Sequence, residues 1–141
     1  MPSRSSSRGR RAPSSFVDLL RQRGADQPDR VAYSFLLDGE RQSADMTYAE
    51  LDRRARGLAA RLQAAGATGE RVLVLLPPGL EYVVAVFATL AAGAVLVPAY
   101  PIRPGRSTRA VDLIARDAQA RFAIARGLVR DSAGLPDLTW F

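Results

Sequence analysis

Between residues 48 and 65 apolar side chains return at helical spacing, at Leu51, Ala55, Leu58, Leu62 and Ala65, while Arg53, Arg54, Arg56 and Arg61 occupy the other faces. This spacing predicts an amphipathic helix. Thr47 stands just ahead of it with Glu50 three residues on, the reciprocal capping-box pattern, and Gly66 ends it. The rhythm then changes: Arg71-Val-Leu-Val-Leu-Leu76 is an unbroken aliphatic run of strand length, the pattern of a strand covered on both faces. Pro77-Pro78-Gly79 turns the chain into a second helix over 80–92, apolar nearly all round and therefore expected to be buried. Gly93 stops that helix, and 94–97 reads as another short buried strand. A third helix is predicted over 107–120 with Val111, Ile114, Ala115 and Ala118 inward, followed by a strand over 122–125.

Upstream, Phe16, Leu19, Leu20 and Arg23 predict a short helix ending at Gly24, which would take the left-handed cap conformation. Pro28 breaks the chain. Segments 31–37 and 41–46 flank Asp38-Gly39, so a β-hairpin is expected, its second arm polar and suited to an edge. Strands and helices alternate from there on, which predicts an α/β fold with a mostly parallel sheet and crossover helices. No internal repeat is evident. Residues 82–102 carry no charge and are long enough to cross a membrane, but Ala dominates and Gly93 and Pro98 interrupt the run, so a helix followed by a strand is the expected reading.

At 141 residues, 48% hydrophobic and 24% charged, the chain has room for one core and the proportions of a globular protein. It has no cysteine, no histidine and no lysine; every basic side chain is arginine. Disulfides, zinc–thiolate sites and thiol nucleophiles are excluded, and the 14 carboxylates are the available general bases. No imidazole or lysine is present to activate a hydroxyl, so a complete catalytic apparatus is not expected within these residues. The net charge of +6 is concentrated at the start, where Arg4, Arg8, Arg10 and Arg11 stand without a single acid; the remainder is nearly balanced. Residues 1–14 therefore read as a disordered Ser/Arg-rich tail and 15–141 as the folded part. The tail's composition also fits an organelle transit peptide, but no apolar run of signal-peptide length follows it. Nor are aromatics interleaved with its arginines as a nucleic-acid stacking platform requires, so no specific nucleic acid is expected as a partner.

Two segments carry a resemblance. Met46-Thr-Tyr-Ala-Glu-Leu51 resembles the first core motif of the adenylate-forming (AMP-binding) enzymes, and Leu90-Ala-Ala-Gly-Ala-Val-Leu-Val-Pro98 resembles their second, with Leu75-Leu-Pro-Pro-Gly79 at the strand-to-helix turn between them. Beyond Pro98, Ala99-Tyr-Pro-Ile-Arg-Pro-Gly-Arg-Ser107 is most similar to the fatty acyl-AMP ligase branch, although Ile102 stands where that branch typically has a second proline. Acyl-CoA synthetases and peptide-synthetase adenylation domains remain the alternative branches. Leu138-Thr-Trp140 resembles the start of the next family strand.

The resemblance implies an incomplete N-terminal portion of the family's large domain. It implies an enzyme that condenses a fatty acid with ATP, using magnesium, to acyl-adenylate and pyrophosphate and passes the acyl group to an acyl carrier protein in the cytoplasm. The family's phosphate loop, acidic motifs and mobile lysine have no counterpart in this sequence. No catalytic, cofactor-binding or metal-binding residue is therefore assigned, and the chain alone is expected to be inactive, with a complementing C-terminal polypeptide as a possible partner. The competing reading is a non-catalytic α/β binding module built on the same scaffold.

Several positions remain as weighed candidates. Arg103, Arg106 and Arg109 gather at the predicted start of the third helix, where a bound phosphate would be stabilised by helix dipole and guanidinium alike; solvated surface arginines are the plainer reading. Pro77-Pro78-Gly79 lies where a strand's carboxyl end meets a helix, the ligand-binding position of α/β folds, yet supplies few N–H donors. Tyr100 is placed either lining an acyl tunnel or packing beside the proline-rich loop. Asp112 and Asp117, five apart on a helix, face different ways and do not form a catalytic pair. Trp140 and Phe141 look like core residues whose partners are missing.

Overall fold

The computed structural model of the chain describes residues 12–36, 39, 42–103, 105–127, 135 and 137–141. The Ser/Arg segment through Arg11 and the Asp38 half of the expected hairpin turn lie outside the described residues. Helix α1 (Phe16–Asp26) leads into strands β1 (Val31–Leu36) and β2 (Gln42–Thr47), then α2 (Tyr48–Ala64), β3 (Arg71–Val74), α3 (Leu80–Ala91), β4 (Val95–Pro98), α4 (Arg109–Asp117), β5 (Phe122–Ile124) and β6 (Thr139–Trp140). β1 and β2 pair antiparallel as the expected hairpin, a two-stranded sheet of its own in which each arm has a free edge. The other four form a parallel sheet in the order β4-β3-β5-β6. The expected α/β architecture is thus present, and β6 extends the sheet at the strand that the family resemblance anticipated.

β3 organises the core. Val72, Val74 and Leu76 point to one face, where they join Leu51, Ala55, Ala59 and Leu62 of α2, Val84, Ala85 and Ala88 of α3, and Leu20 of α1. Leu73 and Leu75 point to the other, where α4 contributes Val111 and Ala115. This period-two division is what an aliphatic run in a doubly covered strand produces. Each fully buried leucine contributes about 2–3 kcal/mol of hydrophobic stabilisation, and Leu51, Leu62 and Leu73 are fully buried.

Several local expectations need correction. α1 does not end at Gly24; it runs to Asp26, and Gln27 N–H closes it on the Arg23 carbonyl at 2.8 Å. Gly24 serves instead as a close-crossing point, since a Cβ there would stand 3.3 Å from Asp52 Cβ and 3.5 Å from the Tyr48 carbonyl of α2. In α2 the buried stripe runs through Ala59, with Leu58 half-buried and Ala65 exposed at the C-cap. Half of the expected capping box forms, Glu50 N–H donating to Thr47 Oγ1 at 3.2 Å, while the Glu50 carboxylate turns to Arg54 at 3.8 Å.

α3 buries one face only; Tyr82, Val83 and Phe87 are half-buried and Leu90 is exposed, so apolarity all round did not mean burial all round. β4 is an edge strand with Val95 49% exposed, not a buried one, because the chain crosses from β4 past β3 to place β5 on the far side. α4 is shorter than expected, with Ala118 as its C-cap. Trp140 and Phe141 have partners after all: Trp140 packs on the α4 side of the sheet, and Phe141 meets the Phe122 ring at 6.4 Å between centroids under the Arg61 guanidinium at 5.5 Å. The charge-free segment 82–102 divides into α3 and β4, and among the described residues no helix is long and apolar enough to cross a membrane.

Candidate functional site at the carboxyl end of the sheet

Parallel strands deliver their carboxyl ends to one side of a sheet, and here β3, β4 and β5 all run out into proline- or glycine-containing turns. After Val74 the chain leaves the ladder, but Leu75 N–H still reaches the Ile124 carbonyl at 2.9 Å, and Ala99 N–H reaches the Val74 carbonyl at 3.1 Å. Pro77 and Pro78 then bring no N–H groups, and Gly79 caps α3 in a conformation that only glycine adopts readily, φ +156° and ψ −176°. The Phe35 ring of the hairpin lies 3.9 Å from where a Cβ at Gly79 would sit, an ordinary contact, so it is the backbone conformation that favours glycine there.

Among the described residues three cavities at this end share Leu76 in their linings. The first, about 430 Å³, is walled by Pro78, Tyr82, Pro98, Ala99, Tyr100 and Ile114; among the described residues no charged side chain lines it. Tyr100 stands at the rim of this apolar cleft and is 84% exposed, so it is not packed down beside the proline-rich loop as one of the two sequence readings has it. The second, about 340 Å³, lies across the Pro77-Pro78-Gly79 turn against Phe35 and Arg126. The third, about 480 Å³, has an apolar floor of Val84, Ile124 and Phe141 below Arg53, Arg61 and Arg126. Arg54, also on its wall, is held by Glu81 at 3.2 Å. Sequence reasoning missed this third cavity entirely. Its arginines come from positions up to 73 residues apart in a pattern that, along the chain, reads as solvated helix surface.

The arginine candidates at the start of α4 are exposed. Arg106 N–H donates to the Arg103 carbonyl at 3.1 Å in a turn, and Arg109 N–H donates to Ser107 Oγ at 3.2 Å. Among the described residues no ion pair holds any of the three guanidiniums. Asp112 is engaged by Arg116, whose Nε donates to both carboxylate oxygens at 2.9 and 3.0 Å. That bond raises the Arg116 pKa further and leaves Asp112 and Asp117 without a shared task.

The described residues do not build a site for magnesium or for a triphosphate. No three His, Cys, Asp or Glu side chains come together as metal ligands among them, and neither a glycine-rich loop nor a lysine is available for the phosphates. What this end can do chemically is exclude water and hold an apolar group beside positive charge.

The chain is similar to known proteins over most of its length. The model of the AMP-binding enzyme family matches residues 20–138. The medium-chain-fatty-acid–[acyl-carrier-protein] ligase JamA of Moorena producens is 44% identical over 110 residues, 76% of this chain and 19% of JamA. The long-chain-fatty-acid–AMP ligase FadD32 of Mycolicibacterium smegmatis is 39% identical over 68% of this chain and 16% of its own length. Among solved structures, a fatty acyl-adenylate ligase from L. pneumophila, in complex with acyl adenylate and pyrophosphate, superposes with a TM-score of 0.78 at 30% identity, over 89% of this chain and 22% of that one. The N-terminal subdomain of Klebsiella oxytoca NpsA superposes at 0.68 and 25% identity, over 90% of this chain and 29% of that one. The chain spans about a fifth of the length of the curated relatives it matches.

Proposed function

This chain belongs to the AMP-binding enzyme family, and on that footing we propose that it forms one wall of a fatty acyl-AMP ligase, the apolar cleft between Pro78, Tyr82, Pro98 and Tyr100 receiving the substrate's acyl chain. The reaction joins a fatty acid to ATP, giving acyl-adenylate and pyrophosphate, and the acyl group then passes to a carrier-protein thiol. The observation that carries this reading is the uncharged cleft of about 430 Å³ at the carboxyl ends of β3 and β4, a volume suited to a small-molecule ligand.

In this arrangement the chain's own residues bind and shield. Tyr82, Ala99 and Ile114 offer apolar contact, and the prolines at 78, 98 and 101 bring no donors that would favour water in the cleft. A dry wall protects a mixed anhydride from hydrolysis and strengthens electrostatic interactions beside it. When bound, ATP and magnesium would supply the adenylyl group and its charge neutralisation. Arg103, Arg106 and Arg109 are proposed to raise the positive potential towards the phosphates; their joint replacement by Gln should weaken pyrophosphate inhibition of the complete enzyme, and an unchanged inhibition constant would remove them from the account. We place the enzyme in the cytoplasm, where ATP and a carrier protein are at hand.

The test is ATP-dependent hydroxamate formation. The native polypeptide that carries this segment should convert medium- or long-chain fatty acids in preference to acetate or amino acids, and residues 1–141 alone should convert none. A preference for acetate or an amino acid overturns the fatty-acid assignment, and turnover by the 141-residue chain overturns its proposed dependence on other residues.

A further inference from the structure

Leu76 is the floor of the uncharged cleft. Of the side chains that line it, Pro78, Pro98 and Tyr100 are exposed and only Leu76 is buried, at 6%. Among the described residues Leu76 is also the one side chain that this cleft shares with the third cavity. A single leucine therefore stands between the two. Behind it the surroundings are apolar: Leu76 belongs to the buried cluster that holds Val84 and Ile124, with Phe141 packed on it, and those three residues form the floor of the third cavity.

The backbone fixes where this side chain sits. Leu75 N–H is bonded to the Ile124 carbonyl at 2.9 Å, and the Val74 carbonyl accepts from Ala99 N–H at 3.1 Å. Pro77 follows directly, and a residue before proline is held to extended conformations. A different side chain at 76 thus changes the depth of the cleft rather than the path of the chain. Close-packed surroundings relax only partly around a truncated side chain, so the space it leaves stays open.

Resting on the reading of this cleft as the acyl-chain site, we propose that Leu76 sets the length of chain the enzyme accepts, its side chain meeting the terminal methyl group and closing the way into the third cavity. The methyl end is the one that reaches Leu76, because a carboxylate does not enter an uncharged, buried floor without a partner. Replacing Leu by Ala removes about three side-chain carbons and leaves room for roughly as many methylenes of substrate. Beyond that point a chain would run over Val84, Ile124 and Phe141. A single methylene in an apolar pocket discriminates between substrates by about tenfold or more, so one side chain at the floor is enough to fix a preference.

The test is kcat/KM for saturated fatty acids of increasing length, measured by ATP-dependent hydroxamate formation with the intact native polypeptide. Leu76→Ala should move the preferred length up by about three carbons, and kcat/KM for that longer acid should rise at least about tenfold relative to the native optimum acid. Leu76→Val, the milder truncation, should shift the same ratio in the same direction by less, and Leu76→Phe should move the preferred length down. A merely structural role moves none of these ratios, since lost stability lowers turnover of every acid alike. An unshifted profile in Leu76→Val and Leu76→Phe, or a fall common to all lengths, overturns the proposal even where Leu76→Ala does not fold. Ala99→Arg tells this failure from failure of the underlying reading. Turnover lost at every length in that variant, beside unshifted Leu76 variants, keeps the acyl site and removes Leu76 from it; turnover unaffected by Ala99→Arg removes the site itself, and the proposal with it.

Discussion

The two ends of the parallel sheet differ in their turns, although Gly79, Gly105 and Gly127 take positive φ at the carboxyl end as well. At the amino end the turns contain glycines with positive φ, Gly66 at +85°, Gly69 at +79° and Gly93 at +71°, and their backbone groups are tied together. Gly69 N–H donates to the Gly93 carbonyl at 2.8 Å, Val95 N–H to the Glu70 carbonyl at 2.8 Å, and Thr68 Oγ1 to the Ala92 carbonyl at 3.0 Å. At the carboxyl end the turns carry Pro77, Pro78, Pro98 and Pro101, which cannot donate, and cavities open there around Leu76. Glycine lets the backbone close on itself; proline stiffens the chain while leaving it unbonded. On the proposed function the carboxyl end is the place where another molecule fits, in keeping with the position of ligands in α/β folds.

This contrast can be broken from either side. The largest effect is expected from Ala99→Arg in the complete enzyme, which drives an unpaired guanidinium into the uncharged cleft; kcat/KM for fatty acids should fall on the order of a hundredfold, with the urea midpoint nearly unchanged. Next, Gly93→Val forces a β-branched residue into φ +71° and brings its Cβ within 3.4 Å of Thr68 Cγ2. Equilibrium urea unfolding should register a loss of about 2 kcal/mol without a change in acyl-chain preference.

Arg61→Ala removes the guanidinium from the Phe141 ring and should cost about 0.5–1 kcal/mol by the same measurement. The smallest effect concerns Asp18, whose pKa is lowered first by its hydrogen bond from Ser14 and then by that from Ser15. A carboxylate depressed in the folded state contributes stability that is present above its unfolded value, near 3.8, and is lost as pH falls through the lower folded value. Asp18→Asn should therefore lower stability slightly at neutral pH, with the variant and native profiles converging as pH falls below about 4.

Much of the scaffold was legible in the sequence because local chemistry and global fold agree. Thr47 caps and Gly66 ends α2 as the pattern implies, and the run after Arg71 divides its side chains between two faces as a doubly covered strand must. Gly24 misled because a glycine near the end of an apolar pattern signals either a cap or a close approach, and only the neighbouring helix decides between them. β4 misled for a related reason: an aliphatic strand at an edge has the same composition as one in the centre, and strand order is a tertiary property. The apolar cleft was half legible, through Tyr100 and the Pro77-Pro78-Gly79 turn. The cation–π contact of Arg61 with Phe141 joins residues 80 positions apart, and no local pattern reports it.

The central claim is that the carboxyl end of the sheet receives an acyl chain. Photolabelling the intact native polypeptide with a diazirine-bearing fatty acid, in the presence of ATP and magnesium, tests it most directly. The account predicts saturable label on peptides containing Pro78–Tyr82 and Pro98–Ile102, displaced by a non-hydrolysable acyl-adenylate analogue. Label confined to other peptides, or spread without saturation, would contradict it.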